Sequence, residues 1–137
     1  MIPNPASALS GEDRQALEEC SGDPKDIRFD EPMRKHTTLR VGGPADAWIT
    51  PSSIQVMQRV VQVCVARSIP LMAVGAGSNL LVRDGGIRGV VLATKGLRRI
   101  EKISDSTLLA ESGVSTGKLL KISTENEFGG AEFLGGV

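Results

Sequence analysis

The run Gly75-Ala76-Gly77-Ser78-Asn79-Leu80-Leu81-Val82-Arg83-Asp84-Gly85-Gly86 holds the residues best suited to chemistry. It follows Leu71-Met72-Ala73-Val74, which reads as a buried strand. Gly75 and Gly77 let the backbone turn sharply and approach a ligand without interference from a Cβ. Ser78 and Asn79 add short donors beside exposed backbone N–H groups. A strand-to-loop junction of this kind makes a concave nest of N–H dipoles suited to a phosphate or pyrophosphate. It is neither of two familiar phosphate loops. The dinucleotide fingerprint needs a third glycine where this chain has Leu80, and a P-loop needs a lysine, which residues 75–86 lack. Taken alone, the run is equally compatible with a glycine-rich turn that holds no ligand, Ser78 capping the turn and Asn79 in a left-handed conformation.

Other reactive side chains are sparse. His36 is the sole histidine; no acid–base role attaches to it, and a structural one is the simpler reading. Arg83 and Asp84 read as a surface pair or a brace for the loop. Gly113 fits either a simple turn or a close approach of backbone to ligand. Cys20 and Cys64 lack metal-ligand spacing. Cys64 lies on an apolar helical stripe and reads as a small buried thiol. Composition does not exclude a disulfide between the two, but free thiols and a reducing cytoplasm are the simpler expectation.

The elements that must carry the loop are legible around it. Ser10 with Asp13 forms a capping box that opens a helix to about Cys20, ending near Gly22. A short strand is expected around residues 27–29. Residues 39–41 and 45–50 are strand-like, flanking a turn or bulge at Gly42-Gly43-Pro44. Ser52 with Gln55 predicts a second capped helix over 53–67, with Gln55, Gln58, Arg59 and Gln62 opposite Met57, Val60, Val61 and Cys64. This helix joins strand 45–50 to strand 71–74 as a right-handed crossover with a parallel pair. The loop then falls at a carboxyl strand end, where open α/β sheets bind ligands. Strand 89–94 follows. Segments 99–103 and 107–111 alternate with period two and predict an antiparallel hairpin, and Ser115 caps a helix through about Asn126.

Composition narrows the partners. Sixteen basic and sixteen acidic residues cancel, so no net field attracts nucleic acid or an anionic membrane. No apolar run approaches the roughly 20 residues of a membrane span, and the N-terminal residues do not read as a secretory signal. Aromatics make up only 3% of the chain, so the core rests on Val, Leu, Ile and Ala.

Three segments, in order and in register, resemble the UDP-N-acetylenolpyruvoylglucosamine reductase (MurB) family. Gly75–Leu92 resembles its flavin loop. His36-Thr37-Thr38-Leu39-Arg40-Val41-Gly42-Gly43-Pro44-Ala45 is similar to its first strand and turn. Gly130-Ala131-Glu132-Phe133-Leu134-Gly135-Gly136-Val137 is similar to the approach to a second flavin loop. The resemblance implies an α/β (α+β) fold, an FAD-binding PCMH/VAO-like domain with a small βαβ lobe followed by an incomplete antiparallel lobe. The expected divisions are a leader at 1–35, the βαβ lobe at 36–95 and the start of the antiparallel lobe at 96–137.

The cofactor implied is FAD, with NADPH as hydride donor and a UDP-sugar enolpyruvate as the substrate of the complete enzyme, reduced to UDP-N-acetylmuramate for peptidoglycan. Gly75, Ala76, Gly77, Ser78 and Asn79 would hold the pyrophosphate, Leu80 and Leu81 would pack nearby, and Gly135, Gly136 and Val137 would lie beside the isoalloxazine. No metal is implied. The family's catalytic arginine, serine and glutamate match no position here, so the expectation is an N-terminal part that is inactive alone, binds FAD weakly or not at all, and self-associates through open sheet edges or is mobile beyond about residue 95. A stand-alone nucleotide or flavin carrier and a purely structural fragment are the competing readings; bound chromophore without turnover would favour the first, and indifference to FAD the second.

Overall fold

The computed structural model describes residues 9–136. Helix α1 spans Gly11–Ser21 and opens on the expected capping box: Ser10 Oγ accepts the Asp13 amide, and Asp13 returns a carboxylate to the Ser10 amide. Strand β1 (Ile27–Pro32) leads through a 3₁₀ turn at Met33–Lys35 to β2 (Pro44–Ile49). Helix α2 (Ile54–Ala66), strand β3 (Leu71–Val74) and strand β4 (Ile87–Ala93) follow. Two compact units divide between Gly96 and Leu97.

In the first unit the strand order is β1-β2-β4-β3. β1 is antiparallel to β2, while β4 lies parallel to both β2 and β3. The crossover from β2 through α2 therefore does not place β3 beside β2, as the sequence predicts; β4 enters between them. The physical reason lies in β4 itself. Val90, Val91, Leu92 and Ala93 are all buried, so this strand has two apolar faces and belongs at the centre of the sheet. The same fact corrects β3. Leu71, Met72 and Ala73 are exposed and only Val74 is buried, so β3 is an edge strand.

Each face of the sheet carries its own core. On one, Val56, Val60 and Cys64 of α2 and Leu17 and Cys20 of α1 pack on Ala47, Ile49, Val90 and Leu92. On the other, Met33, Trp48, Val74, Val82, Val91 and Ala93 cluster, with Leu80 and Ile87 at the margin. A register shift between Ala45 and Ala47 lets Ala45 and Trp48 share this second face. The cap of α2 is Ser53, whose Oγ accepts the Val56 amide at 3.2 Å, one residue later than the expected Ser52. Residues 39–41 form no strand: Arg40 has φ +53° and its amide returns to the Thr37 carbonyl, turning the chain instead of extending it.

The second unit holds a hairpin of β5 (Ile100–Ser104) and β6 (Thr107–Ala110), antiparallel as expected. Helix α3 (Thr116–Glu125) begins at Ser115, whose Oγ accepts the Lys118 amide. A 3₁₀ segment, Glu132–Gly136, packs against α3.

Candidate functional site

Loop 75–79 leaves the carboxyl end of β3, between the sheet edge and the second core. Residues 72–80 line an open concavity of about 350 Å³. Val74 anchors one end of the loop and half-buried Leu80 the other, both in the second core. Between them Gly75, Ala76, Ser78 and Asn79 are exposed, and Gly77 alone is buried. Leu81 is 70% exposed and contributes no packing, whereas Val82 returns to the core.

The two loop glycines have different reasons. Gly77 has φ +72°, and a Cβ on it would lie 2.0 Å from the carbonyl oxygen of His36. The protein itself requires glycine there. A Cβ on Gly75 would meet nothing within 4 Å. Its smallness answers to no neighbour among the described residues, and the space it leaves belongs to the concavity. Among the described residues, no backbone N–H of 75–79 donates to another backbone carbonyl. A set of unused donors on a bared backbone is the donor chemistry that a pyrophosphate needs.

A second strip of backbone braces the loop's far end. Gly43 donates to the Arg83 carbonyl at 3.0 Å, and Gly86 donates to the same oxygen at 2.9 Å. A Cβ on Gly43 would stand 1.9 Å from the Asp84 oxygen, and one on Gly86 1.8 Å from that of Pro44. Gly42-Gly43-Pro44 is thus a close crossing with residues 83–86, beyond the turn or bulge that its composition suggests. Arg83 and Asp84 are exposed, and it is their backbone, not their side chains, that fixes this crossing.

Beneath the loop lies a cluster that sequence reasoning left unassigned. Glu31, with its side chain only 7% exposed, receives His36 Nε2 at 2.9 Å, Arg28 Nη1 at 3.4 Å and Lys35 Nζ at 3.6 Å. Burial alone would raise its carboxyl; the His36 hydrogen bond and the charges of Lys35, His36 and Arg28 outweigh that and hold it below the ordinary value. The His36 ring stacks on Trp48 with centroids 3.7 Å apart, and Lys95 Nζ lies 5.4 Å over the same indole. Glu31 stands five residues before the sole histidine, and that spacing was the available signal.

In the second unit, Gly135 and Gly136 lie in the 3₁₀ segment, where a Cβ on Gly135 would touch Leu120 of α3 at 3.7 Å. Val137 lies outside the described residues. Gly113, before α3, lies in a turn closed by the Val114 amide on the Glu111 carbonyl at 3.0 Å, and its own amide donates to the distant Leu97 carbonyl at 2.8 Å. Cys20 and Cys64 are both free and buried. Among the described residues no group of acids, cysteines and histidine is arranged to hold a metal ion, and no helix is long and apolar enough to cross a membrane.

Residues 45–135 match the family described as FAD binding domain. The chain belongs to that family. FAD is its cofactor, and loop 75–79 with strands β3 and β4 lies within the matched residues. Curated relatives are named UDP-N-acetylenolpyruvoylglucosamine reductase. That from Geotalea uraniireducens is 42% identical over 112 residues, 82% of this chain and 37% of the relative. That from Clostridium kluyveri is 42% identical over 115 residues, 84% of this chain and 38% of the relative. The chain thus spans little more than a third of the length of these relatives.

Among solved structures, p-cresol methylhydroxylase with substrate bound matches at TM-score 0.65 and 20% identity, over 88% of this chain and 26% of that one. Alkyldihydroxyacetonephosphate synthase matches at TM-score 0.68 and 18% identity, over 87% and 25%. At such identities the likeness establishes the fold, the PCMH/VAO-like α+β arrangement that the resemblance implied.

Proposed function

We propose that this FAD-binding domain serves a cytoplasmic reductase that uses NADPH to convert UDP-N-acetylglucosamine enolpyruvate to UDP-N-acetylmuramate, with loop 75–79 holding the FAD pyrophosphate. The names of the relatives support the reaction. The observation that carries the cofactor role is Gly75, bare toward the concavity with no protein neighbour to explain it. Bound FAD would supply hydride transfer, and the protein would supply orientation and electrostatics. The amides of Gly75–Asn79 would face the pyrophosphate oxygens, with Ser78 and Asn79 offering further donors. Gly135, Gly136 and Val137 are assigned, on the resemblance, to the isoalloxazine side. The UDP-sugar reaction belongs to the whole protein, since no residue among these 137 matches the family's serine proton donor.

Flavin fluorescence titration of Gly75→Val tests the cofactor role. A Cβ there meets nothing within 4 Å in the ligand-free protein, so the unfolding midpoint should stay at the wild-type value. Loss of one or two charge-assisted hydrogen bonds predicts an affinity for FAD at least about tenfold weaker. Equal FAD affinity in the two proteins would overturn the assignment of the loop to pyrophosphate.

A further inference from the structure

We propose that His36 is a positioning residue for FAD: gripped by Glu31 and Trp48, it fixes its own backbone carbonyl under Gly77 and so sets the conformation of loop 75–79. The proposal rests on the reading of that loop as the pyrophosphate cradle.

The His36 ring is held at its edge and on its face. Nε2 donates to Glu31 Oε1 at 2.9 Å, and the ring plane lies 16° from that of Trp48 at 3.7 Å. Both anchors are themselves fixed. Glu31 and Trp48 sit on the paired strands β1 and β2, and Trp48 Nε1 donates to Thr50 Oγ1 at 3.0 Å. The backbone is held too. The His36 amide returns to the carbonyl of Met33, a residue with no exposed surface, at 2.8 Å.

What this grip positions is narrow. The His36 oxygen occupies the space where a Gly77 side chain would begin, and two residues on the Thr38 amide donates to the Gly77 carbonyl at 3.4 Å. Among the described residues, that is the one backbone hydrogen bond between loop 75–79 and a distant segment. The left-handed φ of Gly77 is therefore set from below by residues 36–38. A side chain gripped on two sides, directly behind the backbone hydrogen bond from Thr38 to Gly77, controls which way the loop amides point. An amide turned away from a phosphate oxygen loses most of its hydrogen bond, because the interaction weakens steeply with angle.

Three substitutions separate this role from space filling. His36→Phe keeps a ring on Trp48 and loses the bond to Glu31. His36→Gln keeps a donor for Glu31 and loses the stack. His36→Ala loses both. In ¹⁵N-labelled protein without ligand, His36→Ala and His36→Phe should move the amide resonances of Gly75, Gly77 and Ser78, while those of Val90–Leu92 in the sheet stay in place. FAD affinity, read from the same spectra by titration, should fall about tenfold or more in His36→Ala and His36→Phe and recover in part in His36→Gln.

Wild-type loop resonances in a folded His36→Phe would overturn the proposal, since a mere space-filler is replaced by phenylalanine. Loop resonances that move without any loss of FAD affinity would overturn it as well, provided Gly75→Val does weaken FAD. Should Gly75→Val bind FAD as wild type does, the cradle reading fails instead, and the resonance shifts alone then decide whether His36 sets the loop.

Discussion

Asp46 and Arg88 meet 2.7 Å apart at the base of β4, and the same carboxylate accepts the Gly89 amide at 2.8 Å. Only 1% of the Asp46 side chain is exposed, and Arg88 Nη2 reaches on to the carbonyls of Gly85 and Pro44. This one ion pair joins the bulge of β2, the start of β4 and the end of the loop. Asp46→Ala should cost about 3–5 kcal/mol in urea unfolding, because it leaves a guanidinium without its carboxylate and an amide without its acceptor. Asp46→Ala combined with Arg88→Met should recover part of the loss.

The crossing of residues 42–44 with 83–86 predicts a contrast between neighbouring glycines. Gly86→Ala forces φ +75° on a residue with a Cβ and drives that Cβ into the Pro44 oxygen. The backbone strain alone is worth roughly 1–2 kcal/mol, and the displacement of Pro44 adds to it. Gly85→Ala meets nothing within 4 Å and should unfold at the wild-type midpoint.

Gly77→Val, at first sight the direct test of a phosphate loop, is confounded by the structure. Its Cβ would strike the His36 oxygen whether or not a ligand is present. Thermal unfolding of the ligand-free protein should show a lowered midpoint for Gly77→Val and an unchanged one for Gly75→Val.

Glu31 predicts an acid-side signature. Its carboxyl is held below the ordinary 4.5, so its contribution is complete above that value and is lost as pH falls through the lowered folded value. Wild type should therefore exceed Glu31→Gln in stability at about pH 5–7, with the difference shrinking below about pH 4. Urea unfolding of both proteins across this range checks the sign; a difference that grows on acidification would contradict it.

Both thiols should be inert in the folded protein. Burial, with a smaller contribution from Cys20, pushes the Cys64 thiol up to about 11, and burial also raises Cys20. The Cys20 Sγ lies 3.3 Å from the Leu17 carbonyl, to which it donates. A thiol reagent at pH 8 should label neither residue until denaturant is added, since the thiolate is the reactive form.

Much of this architecture is written locally. Ser10 with Asp13, the polar stripe of α2 and the alternation in 99–111 each specify an element through neighbours a few residues away. What the sequence conceals is pairing at a distance. Nothing in Leu71–Val74 says that its first three side chains remain exposed, because that follows from the doubly buried β4 claiming the centre of the sheet. Gly42-Gly43-Pro44 reads as a turn, and only the arrival of residues 83–86 shows why two glycines stand there. The loop itself was visible as glycines and short donors. That one glycine answers to the protein and the other to open space required the position of His36, some forty residues earlier.

The insertion of β4 also has a consequence for the order of events during synthesis. β3 has β4 as its only sheet neighbour, yet β4 is made later. When Leu71–Asn79 leaves the ribosome, the strand that must hold it is still missing, although β1, β2 and α2 already have partners. Chains grow at about 5–20 residues per second. The nascent cradle therefore waits on the order of a second for Ile87–Ala93. During that interval an apolar strand with both edges open stands exposed to other nascent chains.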